Sequence, residues 1–158
     1  MTEIGSQPSL RLLIVDDHAD SARALSRLFR HEGHAVITAH TMTGALTLVV
    51  GQQPVDVLLS DIDLPDGDGC ELLRRLRAFY GGRDVPAVAL SGLGDDETVR
   101  RCREVGFRQF LLKPLTFEQV RDEVMALAGG RPSQPPLAPA APVVIRPLGG
   151  VPAPLPVD

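Results

Sequence analysis

An α/β fold, a five-stranded parallel sheet with helices on both faces, follows from two residue patterns and their strict alternation. Short apolar runs rich in Val, Leu and Ile recur along the chain, each of a length suited to a buried strand. Between them, apolar residues fall at three- and four-residue spacing, the mark of a helix with one inward stripe. Right-handed crossovers turn such alternation into a parallel sheet covered on both sides.

The elements can be justified in order. Leu10 to Val15 reads as the first strand, and Ala22, Leu25, Leu28 and Phe29 then repeat at helical spacing, with Gly33 placed to close that helix. Ala35 to Ala39 is the second strand and Val55 to Leu59 the third. Leu72, Leu73, Leu76 and Phe79 form the stripe of the following helix, and Val85 to Leu90 the fourth strand. Phe107 to Leu112 is the fifth strand; Thr116 and Gln119 then form a capping box ahead of Val120, Val124 and Leu127. The alternation assigns helices to the segments after the second and fourth strands as well.

Length and composition bound the function. A chain of 158 residues, 44% hydrophobic with mean hydropathy +0.06, fits one domain with a single core. We expect that domain over residues 9–128, behind a flexible start at 1–8. Residues 129–158 hold nine of the fourteen prolines and no aromatic residue, so a disordered tail is expected there, with Val143 to Ile145 as its one apolar stretch. The net charge of -4 gives no general drive toward nucleic acid or anionic lipid, so direct nucleic-acid binding is not favoured. No basic start followed by an apolar segment and no membrane-length apolar run occurs, which implies a cytoplasmic protein without a membrane role. Cys70 and Cys102 lack any zinc or redox spacing and read as reduced structural thiols.

The strand ends carry the chemistry. The first strand runs into Asp16 and Asp17, the third into Ser60 and Asp61, the fourth into Ser91, and the fifth into Lys113. In a parallel sheet these ends share one edge, where three carboxylates, a hydroxyl and an ammonium would converge. Such a set can hold a divalent cation and accept a phosphoryl group. Two carboxylates about 5 Å apart repel by roughly 3 kcal/mol at an effective dielectric of 20, so an acid cluster is a poor device for stability alone. Taken singly, each element has a plainer reading: Asp16 and Asp17 as helix-capping acids, Ser91-Gly92 as a turn, Lys113-Pro114 as a surface lysine before a strand-ending proline, Phe110 as a core aromatic. Their joint order is what argues for a site. His18, His31, His34 and His40 show no metal-ligand spacing and read as surface or loop residues.

Five landmarks in order make the stretch from about Leu10 to Leu127 resemble the receiver domain of bacterial two-component response regulators. They are Asp16-Asp17; Asp61 followed by Leu64-Pro65 and Gly67-x-Gly69; Ser91-Gly92; Phe110; and Lys113-Pro114. The resemblance implies a flavodoxin-like strand order of 2-1-3-4-5 and a cis Lys113-Pro114 bond. It makes Asp61 the phosphoacceptor, taking its phosphoryl group from a histidine kinase or phosphotransfer protein. It assigns Mg2+ to Asp16, Asp17, Asp61 and the backbone carbonyl of Asp63, and a phosphoryl-binding charge to Lys113. Ser91 and Phe110 become the switch pair, and the surface from Asp95 to Leu127 a face for a downstream protein target or a homodimer. Arg100, Arg101, Arg103 and Arg108 make that face basic. The implied role is regulatory rather than enzymatic, with self-phosphorylation and slow loss of the group.

Two positions depart from common receiver patterns. Asp63 adds an acid two residues after the acceptor, and Leu93 an apolar side chain two residues after Ser91; both flank the route of attacking water. The entry Ser91-Gly92-Leu93-Gly94 is more similar to receivers attached to hybrid histidine kinases than to those fused to DNA-binding domains. After the last helix comes only the Pro-rich tail, which leads to the expectation of a single-domain protein without an output domain. Two other readings stay open. Asp61-Ile62-Asp63 is also the D-x-D of magnesium-dependent haloacid dehalogenase-like phosphatases, although there the nucleophile strand comes first and the acidic pair last. The chain could also keep the fold as a binding module that is never phosphorylated.

Overall fold

The computed structural model describes residues 9–128, and there the expected alternation is present element by element. In chain order the elements are β1 (Arg11–Val15), α1 (Ala19–His31), β2 (Ala35–Ala39), α2 (Met42–Leu48), β3 (Val57–Asp61), β4 (Asp63–Leu64), β5 (Gly67–Asp68), α3 (Gly69–Phe79), β6 (Ala87–Ser91), α4 (Asp96–Val105), β7 (Gln109–Leu112) and α5 (Phe117–Ala128). The main sheet is parallel throughout and ordered β2, β1, β3, β6, β7; counted as five strands, this is the 2-1-3-4-5 order. The two-residue strands β4 and β5 pair antiparallel as a separate small hairpin. Expectations for residues 1–8 and 129–158, including Val143 to Ile145, lie outside the described residues. Among the described residues no helix is long and apolar enough to cross a membrane.

Successive strand residues face opposite sides, so β1 divides its run between two cores. Leu12 and Ile14 join Ala22 and Phe29 of α1 and Val120, Val124 and Leu127 of α5. Leu13 and Val15 join the opposite layer, built on Ala45 of α2, Leu72, Leu73 and Leu76 of α3, and Val99 and Cys102 of α4. Burial on both faces explains why the strands read as continuous apolar runs instead of alternating ones.

Three strands begin two residues later than their apolar runs. Val55, Val85 and Phe107 are buried yet precede β3, β6 and β7. Pro86 has no amide hydrogen to give a ladder, and its carbonyl accepts from the Leu58 amide at 2.9 Å just where pairing starts. These residues plug the amino-terminal edge of the sheet: hydrophobic burial, rather than pairing, made them look like strand. Two stripe residues also turn outward, Leu28 at 40% and Phe79 at 50% exposure. In α1 the inward row is Ala22, Ser26 and Phe29, one position off Leu28. At the end of α3 it is Tyr80 that turns in, its hydroxyl accepting the Val55 amide at 3.2 Å. Of the four histidines read as surface or loop residues, His18, His31 and His40 are exposed, while His34 lies in a loop but is buried, its Nδ1 accepting the Leu10 amide at 3.1 Å.

Helix ends follow the local chemistry. Gly33 closes α1, with its amide donating to Arg30 and the His34 amide to Phe29. The Thr116–Gln119 capping box forms reciprocally, at 2.8 and 3.1 Å. The Asp66 carboxylate of the hairpin accepts the Met42 and Thr43 amides that open α2, and hydrogen bonds from Thr43 and Met42 hold its pKa down at about 2. Gly106 ends α4 at φ 117°, and a Cβ there would stand 2.6 Å from the Arg77 guanidinium, which binds the Val105 carbonyl. We expect Gly106→Ala to destabilise the domain by about 1–3 kcal/mol through left-handed strain and the displaced Arg77, read as a lower urea midpoint at unchanged slope.

Candidate functional site

Register builds the site. Val15 pairs with Ser60 and Asp61 with Leu90, so Asp16 and Asp61 emerge level at the carboxyl edge of neighbouring strands. The ladder continues one step past each strand: the Asp16 amide donates to Ala39, the Ile62 amide to Leu90, and the Lys113 amide to Ser91. Asp16, Asp61, Ser91 and Lys113 are therefore fixed to one rim by main-chain hydrogen bonds before any side chain is considered. Gly69 allows the close fit beneath it, since a Cβ there would lie 2.7 Å from the Asp61 carbonyl and 3.1 Å from Ser60 Oγ.

Lys113 Nζ donates to Asp16 Oδ2 and to Asp61 Oδ2, each at 3.1 Å. Asp16 is only 1% exposed and Asp61 buried beside it, whereas the Asp17 side chain is 39% exposed. The remaining Asp61 oxygen accepts the Asp63 amide at 3.2 Å, and Asp16 Oδ1 accepts the His18 amide at 2.9 Å. Burial is the chief cause that pushes the Asp61 carboxyl above its ordinary range; the Lys113 ammonium pulls it back and the Asp16 charge adds to the rise. For Lys113 burial alone would lower the pKa, but the Asp61 and Asp16 carboxylates outweigh it and the net direction is up. One ammonium thus serves two buried carboxylates, leaving the edge with excess negative charge.

Ligand atoms of Asp16, Asp17, His18 and Asp61 lie within 4.8 Å of one another. Three carboxylates at such spacing form the hard oxygen set that suits a divalent cation. His18 is a member that sequence reasoning passed over; only its adjacency to the acidic pair pointed to it. Asp63 sits on the exposed side of the β4–β5 hairpin, tied to the site through its amide. Ser91 is on the rim, but its hydroxyl is engaged with Leu93, donating to the carbonyl and accepting from the amide, both at 3.0 Å. Phe110 is buried in the layer of α2, α3 and α4, and Lys113-Pro114 is cis. The basic face is largely neutralised: Arg100 pairs with Glu97 and Glu104, Arg101 with Asp68, and Arg108 with Asp84.

Both the sequence and the fold find matches among known proteins. The family model of the response regulator receiver domain matches residues 12–125. The sensory/regulatory protein RpfC of Xanthomonas campestris is 31% identical over 122 residues, 76% of this chain but 17% of that protein, so the chain spans about a sixth of it. The two-component response regulator ORR3 of rice is 29% identical over 72% of this chain and 87% of its own length. Among solved structures, a CheY-like receiver domain protein from Methanospirillum hungatei shares the fold at TM-score 0.71 and 23% identity, covering 78% of this chain and 96% of that one. The CheX–CheY–BeF3–Mg2+ complex from Borrelia burgdorferi matches at TM-score 0.67 and 29% identity, covering 75% and 88%. The family match runs from the second residue of β1 nearly to the end of α5 and takes in every residue of the carboxylate–lysine rim, and the chain belongs to the response regulator receiver domain family.

Proposed function

We propose that Asp61 is the phosphoacceptor of this receiver, taking its phosphoryl group from a phosphohistidine on a histidine kinase or phosphotransfer protein. In the transfer a carboxylate oxygen of Asp61 bonds to phosphorus, the P–N bond breaks, and its electron pair leaves with the imidazole, which takes up a proton. Asp16, Asp17, Asp61 and the Asp63 carbonyl would hold Mg2+, which when bound supplies charge neutralisation for the approaching phosphoryl oxygens. Lys113 supplies a compact positive charge for the same oxygens, moving off the Asp61 carboxylate as the acyl phosphate forms. The observation that carries the reading is the Lys113 ammonium shared between two buried carboxylates, a set that lacks enough positive charge until a metal joins it. The Borrelia burgdorferi relative, named in complex with BeF3 and Mg2+, supports the same metal here.

The signal follows from what the phosphoryl group would attract. Ser91 would exchange its two bonds to Leu93 for a phosphoryl oxygen, and Phe110 would shift toward the space left behind. That change reaches the face of α4, β7 and α5, the proposed surface for a downstream target or a second copy. The role is regulatory, with slow loss of the group, and the place of action is the cytoplasm. A haloacid dehalogenase-like phosphatase receives no support, because the matching family is the receiver and the acidic pair follows the first strand.

Intact mass spectrometry after acetyl phosphate treatment tests this. One phosphoryl group per chain, dependent on Mg2+ and lost slowly, is the expected result. No uptake with Mg2+ present would leave a non-phosphorylated binding module, and steady release of phosphate would restore the phosphatase.

A further inference from the structure

We infer that His18 gives the metal site a nitrogen donor and tilts its selectivity from Mg2+ toward borderline transition-metal ions such as Co2+. This rests on the metal-dependent reading above and deepens it. The His18 Nδ1 lies 3.5 Å from Asp16 Oδ1 and 3.5 Å from Asp17 Oδ1, on the side of Asp16 away from Lys113, whose ammonium takes Oδ2. Two donors on adjacent positions of an octahedral ion with bonds near 2.1 Å stand about 3 Å apart, so a small closing movement brings the imidazole into the coordination set. That movement is open to it: His18 is the residue before α1, and its ring is 72% exposed, with no side-chain cap to hold it. Its main chain is fixed, through the amide on Asp16 and the carbonyl that accepts the Ala22 amide.

The alternative is a simple ion pair with the two aspartates, and at this exposure such a pair contributes little. Metal chemistry separates the two. Mg2+ is a hard ion that prefers oxygen and keeps several waters, so an imidazole adds nothing specific to its binding. Co2+, Ni2+ and Zn2+ gain from a nitrogen ligand, and mixed carboxylate and imidazole sets suit them. Three carboxylates alone would rank these ions by general affinity; the fourth donor widens the gap.

Calorimetric titration of Mg2+ and of Co2+ into the full chain and its His18→Ala variant tests the inference, with His31→Ala as a control. His31 closes α1, a helical distance of roughly 20 Å away by the rise per residue, and it reports adventitious histidine binding. We expect His18→Ala to lower the ratio of Co2+ to Mg2+ affinity by about tenfold, with the ratio unmoved in His31→Ala. Nitrogen NMR with Zn2+ should move the His18 Nδ1 resonance selectively. If the wild type binds Mg2+ and takes up phosphoryl but the ratio is the same in His18→Ala, the inference fails while the proposed function stands. If the wild type binds neither ion and takes up no phosphoryl group, the functional reading fails and this inference with it.

Discussion

Asp61→Asn should raise the melting temperature of the metal-free protein by several degrees while abolishing phosphoryl uptake. Both effects have one cause. The wild-type carboxylate is buried next to Asp16, and its pKa is raised above the usual 3.8 by that burial. Between 3.8 and the folded value the native chain keeps a proton that the unfolded chain has lost, so stability falls as pH rises through that window. Above the folded value the whole cost is present. Asparagine carries no charge to desolvate; its one amide oxygen replaces only one of the two carboxylate acceptors, best the one that meets the Asp63 amide, while Lys113 keeps its bond to Asp16. For a domain of this size each 1 kcal/mol gained is worth about 3–5 °C. Scanning calorimetry in EDTA at pH 7 should show the rise, and the gap should shrink toward pH 3. Saturating Mg2+ should raise the wild type more than the variant, since the variant has lost a metal-facing charge. A variant that melts lower in EDTA and still takes up label would remove Asp61 from its assigned role.

Much of this was legible before any coordinates. Strand–helix alternation and the polar residue at each strand end were enough to foresee the shared rim, because parallel pairing leaves no other place for those ends. The strand starts were less legible: Val55, Val85 and Phe107 are as buried as strand residues, and apolar composition alone does not separate a loop plug from a paired residue. Leu28 and Phe79 show the matching limit in helices, where one residue of rotation decides whether a large side chain meets the core or water. The hairpin of β4 and β5 was hidden for another reason. Its strands are two residues long, and Asp66, which docks it on α2, shows its purpose only through the amides it meets. Ser91 was correctly placed on the rim, but its engagement with Leu93 depends on a loop conformation that no periodicity encodes. The basic stretch from Arg100 to Arg108 was only partly legible: Arg100 pairs within α4, with Glu97 and Glu104, but the counter-charges of Arg101 and Arg108, Asp68 and Asp84, come from distant segments.

A signal in the sequence that strand and helix patterns do not use leads to the second large effect. All but one of the 16 basic residues are arginine, and the single lysine is Lys113. A chain that otherwise uses the broad, planar guanidinium keeps the compact ammonium where, among the described residues, two buried carboxylates share a charge. Lys113→Met should therefore destabilise the metal-free protein by about 2–3 kcal/mol, less than a fully buried pair would cost because the lysine is partly open to water. The pH dependence follows from the signs. The wild-type lysine has its pKa raised above 10.5, so its contribution is complete below that value and is lost as pH rises through the folded one. In Lys113→Met the carboxylates lose their counter-charge and Asp61 is driven up further, so the deficit should be largest near neutral pH and should shrink as acid protonates Asp61. Asp61→Asn placed on this background should recover part of the loss, more than the single effects would sum to, since the two side chains form one pair. Lys113→Arg completes the test. It restores the charge, so we expect stability within about 1 kcal/mol of wild type, but its forked donors match the space of a single ammonium poorly and phosphoryl uptake should stay well below the wild-type level. Full uptake in Lys113→Arg would show that only the charge matters there, and full uptake in Lys113→Met that the ammonium has no part in the transfer.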